Sequence, residues 1–216
     1  IKITSVRILR HLQKTIPKIE KQGLIYLTRS CYNIIEKINV RSFVMEKVFE
    51  NIYGRRSVRK YTEKQVPKGL LEKIAEAGLY AASGRNAQSP IVLIVTDKKL
   101  RDELSRLNAE VMGRDADPFY GAPAVLVVLA DKSVPTYVYD GSLTMGNMML
   151  AAHALGLGSC WIHRAKEVFE TESGKRILAD LGVVGDYEGI GNLIVGYTDG
   201  ETPAPAPRKE GRVFRK

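Results

Sequence analysis

Residues 140–162 read DGSLTMGNMMLAAHALGLGSCWI and contain the longest apolar part of the chain, around Leu143–Leu157. From Tyr139 to Leu155 the sequence is apolar on almost every side of a helix, which predicts a long helix at the centre of the molecule. Gly156 and Gly158 then allow the backbone to turn tightly. The apolar run over residues 158–162 predicts a short strand directly after that turn.

On both sides of this stretch, helical spacing and continuous apolar runs predict further elements. The predicted helices are Met45–Tyr53, closed by Gly54, a helix that opens at Pro67 and ends near Ala82, Leu100–Val111, and Lys166–Leu181. The predicted strands are Ile91–Thr96, which should be buried on both faces, Ala124–Ala130, which should be a second buried strand, and Asn192–Gly196 within Tyr187–Tyr197. Helices and strands do not alternate strictly, which indicates an α+β fold. Three prolines between residues 203 and 207 predict an extended C-terminal arm from about residue 200.

The charge of the chain is concentrated at one end. With 33 Lys plus Arg and 24 Asp plus Glu in 216 residues, the formal net charge is +9. Residues 1–44 hold nine basic and two acidic side chains, net +7, which leaves 24 basic and 22 acidic, net +2, in residues 45–216. We therefore predict a basic N-terminal extension over 1–44 and a single domain over 45–216. The extension is open to three interpretations: a targeting presequence, an accessory helix, or translated sequence upstream of a natural start at Met45.

Composition excludes several classes of protein. A content of 44% hydrophobic and 26% charged residues is typical of a soluble globular domain and excludes disorder and collagen. Cys31 and Cys160 form no close-spaced motif, so we expect no zinc or CxxC site and a reducing, cytoplasmic location. His153 is ten residues from His163, at no metal-ligand spacing, and is interpreted as a satisfied core residue. The longest apolar stretch falls short of the roughly 20 residues that a membrane span needs.

Two polar clusters precede the central helix, and each has a structural alternative. Arg55, Arg56, Ser57 and Arg59 suit a phosphate and planar carbonyl groups, because arginine donates in a fixed fork; the alternative is a solvated basic face. Residues 81–88 read AASGRNAQ, in which small residues permit close approach of a ligand and two amide side chains could read a heterocycle edge. The alternative for this second cluster is a turn with capping side chains.

Two more clusters follow the central helix. Residues 156–164 read GLGSCWIHR and place the only tryptophan next to a free thiol. The alternative is the edge of a strand with Cys160 buried as a small hydrophobic residue. Arg208 and Lys209 follow the proline arm, and their alternative is a solvated basic tail.

In this order and at these separations, the four clusters resemble the nitroreductase family of FMN-dependent oxidoreductases. The resemblance rests on RRSVRKY at 55–61, ASGRNAQ at 82–88, GAPAVLVV at 121–128, the 140–162 stretch, IGNLIVGY at 190–197 and PRK at 207–209. It extends from residue 45 to about residue 213. It implies a central, mostly antiparallel sheet flanked by helices, and a homodimer with FMN in the interface held by both chains.

The resemblance also implies the cofactor-binding residues. One chain would contribute Arg55, Arg56, Ser57 and Arg59 to the phosphate, ribityl chain and pyrimidine edge, and its partner would contribute Ala82, Ser83, Asn86 and Gln88. Cys160, Trp161, Ile162 and His163 would pass beside the isoalloxazine, Arg208 would return to the phosphate, and Asn108 would reach the pyrimidine. Larger members often carry Glu and Gly beside flavin N5 where this chain has His163 and Arg164, so a hydrogen bond to N5 would come from a backbone amide, with His163 lining the acceptor pocket.

The implied reaction is hydride transfer from NADH or NADPH to flavin N5 and on to an electron-poor small molecule such as a nitroaromatic or a quinone. Because the cofactor carries this chemistry, no protein nucleophile is required. One alternative is a flavin-binding storage or regulatory module without turnover. Another is binding of nucleic acid or an anionic membrane through residues 1–44, although neither partner is expected for the domain itself.

Overall fold

The computed structural model describes residues 46–216, and Asn51–Lys216 form one compact unit. Its sheet contains β1 (Pro90–Val95), β2 (Ala124–Asp131), β3 (Gly158–Ile162) and β4 (Tyr187–Gly196). The order across the sheet is β1-β2-β4-β3, and each neighbouring pair is antiparallel. The predicted α+β class with an antiparallel sheet is confirmed. The extension predicted over 1–44 lies outside the described residues.

The helices begin and end close to their predicted positions. They are α1 over residues 46–54, α2 (Lys68–Leu79), α3 (Lys98–Met112), α4 (Tyr137–Ala154), α5 (Ala165–Glu170) and α6 (Glu172–Asp180). The α3 helix shows why the boundaries were predictable. Its cap Asp97 accepts a hydrogen bond from the Leu100 amide, and it ends at Gly113 in the left-handed conformation, φ 67°.

Helices cover both faces of the sheet. Successive side chains of β2 point to opposite faces and therefore pack against different helices. Leu126 and Val128 face α2 and α4, where the fully buried partners include Ile74, Met145 and Met148. Val127 and Leu129 face the opposite layer, where the buried partners are Leu104 of α3, Phe119 and Ile177 of α6. The predicted burial of β2 is thereby confirmed.

The β1 strand departs from its prediction. It pairs with β2 alone at the edge of the sheet, and most of its residues are only half-buried, with Ile94 36% exposed. The expectation that this strand is buried on both faces is therefore wrong for the single chain. An apolar run indicates a need for cover, but it cannot distinguish a central strand from an edge strand.

The single helix predicted over Lys166–Leu181 is also wrong, because the chain forms α5 and α6 there. Thr171 adopts an extended conformation between them, and its Oγ1 accepts a hydrogen bond from the Gly174 amide at 3.0 Å. This contact caps a new helix. Gly174 lies so close to α5 that an added Cβ would stand 2.1 Å from the Val168 carbonyl oxygen.

The α4 helix packs against α2 and all four strands, as a central helix should. Its outward face is nevertheless uncovered in the single chain, since Tyr139 is 73% and Leu143 52% exposed. Residues 201–216 are exposed and have neither helix nor strand, and their role as an extended arm remains a prediction. Over residues 46–216, no helix combines the length and the hydropathy that crossing a membrane requires.

Candidate functional site

The arginine-rich segment after α1 runs alongside the start of β3. Ser57 forms a parallel bridge with Ser159, and the Val58 amide donates to the Ser159 carbonyl at 3.0 Å. Gly158 permits this approach, because a Cβ there would lie 2.9 Å from Cγ1 of Val58. The half-buried Tyr61 then donates its hydroxyl to the Val58 carbonyl at 2.7 Å. The structure therefore brings the first and third sequence clusters together.

Arg55 and Arg56 present donors that no other described residue uses. Arg56 Nη1 donates to the Tyr53 carbonyl at 2.7 Å and to the Arg55 carbonyl at 2.5 Å. Arg55 Nη1 and Arg56 Nε are buried without a hydrogen-bond partner, and they are two of the four such side-chain atoms in the part of the chain that is described. Buried donors are normally satisfied, so two unpaired guanidinium atoms at one place fit an anionic group such as a phosphate.

His153, near the end of α4, lies beside these two arginines. Its Nδ1 is 2.6 Å from Oδ1 of Asn51, whose Nδ2 donates to the Leu150 carbonyl. Burial and the positive charges of Arg55 and Arg56 hold the pKa of His153 below its ordinary value of 6.5. The hydrogen bond to Asn51 supports the interpretation of His153 as a structurally satisfied residue. Within residues 46–216, no three His, Cys, Asp or Glu side chains are grouped so that they could hold a metal ion.

Arg59 is exposed, and its guanidinium carbon lies 6.0 Å from the centre of the Tyr120 ring. Tyr120 has a left-handed backbone, φ 52°, which is unusual for a bulky residue. Asp117 fixes this turn, because its carboxylate accepts hydrogen bonds from the Phe119 and Gly121 amides and from Arg101 and Ser105. Burial opposes ionisation of Asp117, but these donors keep its pKa below the usual value. Neither Tyr120 nor Asp117 was predicted as a site residue from the sequence.

At the end of β3, side chains of the strand enter the core, and a residue of α3 holds the backbone that follows the strand. Cys160 and Ile162 are buried in the core, which supports the structural alternative for the thiol, whereas His163 is exposed. Asn108 is fully buried, its Nδ2 donates to the His163 carbonyl at 2.8 Å, and its Oδ1 accepts from Arg164 Nε at 3.1 Å. In the described residues, both polar groups of Asn108 hold residues 163 and 164, and a contact of Asn108 with a flavin pyrimidine remains a prediction.

The loop between α2 and β1 has an unusual backbone. Arg85, Asn86 and Gln88 have φ values of 53°, 55° and 50°, although none of them is glycine. Their side chains are exposed, and Nε2 of Gln88 donates to Oδ1 of Asn86 at 3.2 Å. Left-handed conformations in non-glycine residues cost about 1–2 kcal/mol each, and they concentrate at functional sites. The geometry favours a ligand-binding role for this loop over an ordinary turn.

The arginine segment and the loop lie at opposite ends of α4. The Gly84 amide donates to Asp140 near the start of the helix, whereas an added Cβ at Gly54 would lie 3.1 Å from His153 near its end. Asp140 and His153 are thirteen residues apart on one helix. At about 1.5 Å per residue, this separates the two clusters by about 20 Å along the helix axis. Within one chain they cannot act on the same ring system.

The remaining predicted positions have little support from contacts within the chain. Ala82 is exposed at the start of the loop, and Ser83 Oγ accepts a hydrogen bond from the Gln88 amide at 3.1 Å. Trp161 is half-buried and packs on the α4 side of the sheet. Arg208 is exposed and lies on the arm, twelve residues after β4 ends at Gly196.

The sequence model of the Nitroreductase family matches residues 52–118 and 111–197 of this chain. A protein of Archaeoglobus fulgidus, named by inference as an NADH dehydrogenase/NAD(P)H nitroreductase, is 34% identical over 142 residues, which cover 63% of this chain and 76% of that protein. An FMN reductase [NAD(P)H] of Bacillus subtilis is 30% identical over 132 residues, and the match spans about half of either protein, 53%. The crystal structure of a nitroreductase with bound FMN from Bacteroides fragilis has a TM-score of 0.72 at 28% identity and covers 78% of this chain and 97% of that one.

Proposed function

Since this chain belongs to the nitroreductase family, we propose that it is an FMN-dependent oxidoreductase that passes hydride from NADH or NADPH, through flavin N5, to an electron-poor acceptor such as a nitroaromatic or a quinone. Similarity to an FMN reductase and to an FMN-bound nitroreductase structure supports this function. The observation that carries the proposal is the pair of unpaired, buried guanidinium atoms on Arg55 and Arg56.

The residues of the arginine segment fit the chemistry of FMN. Arg55 and Arg56 would take the phosphate, because their free donors match its acceptor oxygens. The exposed Arg59 would contribute a positive charge at the pyrimidine edge, where it stabilises negative charge on the ligand. FMN, when bound, supplies the hydride-transfer chemistry, and the chain supplies binding, orientation and charge.

The backbone after β3 would face the ring. Asn108 draws the His163 carbonyl towards the core. Because a trans peptide unit points its carbonyl and its amide in opposite directions, the Arg164 amide is directed away from Asn108. Arg164 itself is in the left-handed region, φ 75°, and its side chain is anchored by Asn108 and by Met112 Sδ at 3.4 Å. We propose that this amide is a donor to the cofactor, and that the exposed His163 side chain lines the acceptor pocket.

A homodimer would complete each site. The loop that carries Ala82, Ser83, Asn86 and Gln88 lies about 20 Å along α4 from the arginine segment of the same chain, and a second copy of the chain would supply this loop. The uncovered face of α4, with Tyr139 and Leu143 exposed, offers an apolar surface for that second copy. Arg208 on the C-terminal arm would add a cation, and the cytoplasmic location remains a prediction.

Purified full-length chain tests the proposal directly. We expect a dimer with about one FMN per chain, measured by light scattering and flavin absorbance, whose yellow colour bleaches anaerobically with NADH or NADPH. The colour should return on addition of a quinone or a nitroarene. A chain that cannot be reconstituted with FMN would refute the function, and one that binds FMN but is not reduced would favour the storage or regulatory module.

A matched pair of variants separates the site from general charge effects. Arg59→Ala should weaken FMN binding by about 1.5–3 kcal/mol, the value of a hydrogen bond to a charged group. Arg176→Ala removes an exposed arginine of α6 and should leave the affinity unchanged. Equal affinities for both variants would remove Arg59 from the site.

A further inference from the structure

The loop over residues 83–89 is tied to the start of α4 through one buried carboxylate. Asp140 is 3% exposed. Its Oδ1 accepts from the Gly84 amide at 3.0 Å, and its Oδ2 accepts from Ser89 Oγ at 2.9 Å and from Thr136 Oγ1 at 3.1 Å. Two of these three donors belong to the loop, which is more than fifty residues away in sequence.

No cation pairs with this carboxylate, in the part of the chain that the structure covers. Its charge is stabilised by the three hydrogen bonds and by its place in the first turn of an 18-residue helix, where the helix dipole favours an anion. Gly84 adds a steric contact, because a Cβ there would stand 2.3 Å from Thr136 Oγ1. The attachment therefore depends on close fit as well as on hydrogen bonds.

This attachment holds the strained part of the loop. Arg85, Asn86 and Gln88 lie between the two residues that Asp140 binds, Gly84 and Ser89. Three left-handed residues within four positions would relax if the ends were free, because each conformation is disfavoured on its own. Asp140 thus offsets the strain and fixes the direction in which the exposed side chains of Asn86 and Gln88 project.

We propose that Asp140 is a positioning residue for cofactor binding: it fixes the loop of one chain in the geometry that presents Asn86 and Gln88 to the FMN held by the arginine segment of the partner copy. This inference rests on the proposed function. Asp140 does not touch the cofactor and acts only through the loop.

Affinity measurements on Asp140 variants provide the first test. Asp140→Ala removes both acceptor oxygens and should weaken FMN binding at least about 10-fold, the factor that corresponds to one lost charge-assisted hydrogen bond. Asp140→Asn keeps an oxygen for the Gly84 amide and should recover part of the affinity. Ile177→Ala, a core change in α6, serves as a control with comparable loss of melting temperature but unchanged FMN affinity.

Mixed dimers distinguish positioning from a general loss of stability. Co-expression of Arg59→Ala and Asp140→Ala chains with different tags gives a dimer in which one site carries both defects and the other carries neither. We expect each homodimer to bind FMN weakly and the mixed dimer to bind one FMN per two chains with wild-type affinity. A mixed dimer that binds no better than the homodimers would overturn the proposal.

Other outcomes are equally decisive. Wild-type affinity in the Asp140→Ala homodimer would overturn the proposal while leaving the proposed function intact, whereas absence of FMN binding by the wild type would refute that function itself. If Asp140→Ala is insoluble, the double variant Ser89→Ala, Thr136→Val removes two donors to Oδ2 and takes its place in both experiments. Unchanged affinity of that double variant would count against the proposal in the same way.

Discussion

Replacement of Arg55 by methionine should have opposite effects on the free and the FMN-bound protein. In the free protein Arg55 Nη1 is a buried donor without a partner among residues 46–216, and such a donor costs about 1–3 kcal/mol. Because Arg55 is only half-buried, we take the lower end, about 1 kcal/mol. Methionine keeps the aliphatic volume and removes the unpaired donor. The free variant should therefore unfold about 2–4 °C above the wild type, the shift that about 1 kcal/mol produces in a chain of this size.

With FMN the order should reverse. Loss of a charge-assisted contact to the phosphate weakens binding by about 30-fold, within the range expected for a hydrogen bond to a charged group. At a concentration of 100 times the wild-type dissociation constant, FMN stabilises the wild type by about 2.7 kcal/mol and the variant by about 0.9 kcal/mol. The variant's advantage of about 1 kcal/mol in the free state does not offset this difference.

The assay is thermal unfolding of both proteins at one chain concentration, with and without FMN, together with a fluorescence titration of FMN. Arg176→Met, an exposed change on α6, should leave both melting temperatures and the affinity unchanged. A free Arg55→Met protein that melts below the wild type, with unaltered FMN affinity, would show that Arg55 has a structural role and that no phosphate is bound there.

Further predictions concern the ends of the chain and the two sides of the site. The free protein should lose stability as the pH falls below 6.5, because His153 takes up a proton more readily in the unfolded state; NMR titration of its ring should place the native pKa below that value, and His153→Gln should flatten this part of the stability curve. Asn108→Leu should lower the free energy of unfolding by about 1–3 kcal/mol, measured in urea, because the His163 carbonyl loses its buried donor, and stopped-flow reduction by NAD(P)H should slow as well. A chain that begins at Met45 should keep FMN, dimerisation and turnover although its net charge falls from +9 to +2; a colourless product would contradict this. Truncation after Gly200 should release FMN and weaken the dimer, and a truncated chain that remains yellow and dimeric would contradict that expectation.

Most of the fold could be predicted because the signals are local. The run over residues 124–130 and the glycine-bounded run over residues 158–162 each specify a strand through the properties of a few neighbouring residues. The exposure of β1 could not be predicted, because it depends on which strands become its neighbours. The sequence does indicate a helix start at Thr171, because a threonine followed by an acidic residue is typical of such a start. The helical spacing of apolar residues on both sides of Thr171 nevertheless favoured one continuous helix.

The site was predictable only in part, for a related reason. The arginine cluster and the loop are visible as runs of residue types, whereas Asp140 looks like the first polar residue of an apolar helix. Its role comes from contacts with Gly84 and Ser89, 56 and 51 residues earlier in the chain. The contact of Asn108 with the His163 carbonyl could not be predicted, because an amide that suits a heterocycle edge equally suits a buried carbonyl, and only tertiary structure shows which partner is present.

Because Cys160 is buried, chemical labelling of its thiol can measure motions of the sheet. The thiol is 2% exposed and lies on β3, the edge strand that borders the arginine segment. Because the sequence has only two cysteines and the other is Cys31, a chain that begins at Met45 carries a single thiol. Its rate of alkylation in native buffer then reports how often β3 separates from its surroundings. The same strand that lines the proposed cofactor site thus contains a built-in reporter of opening, and FMN should slow the labelling if the cofactor rests against it.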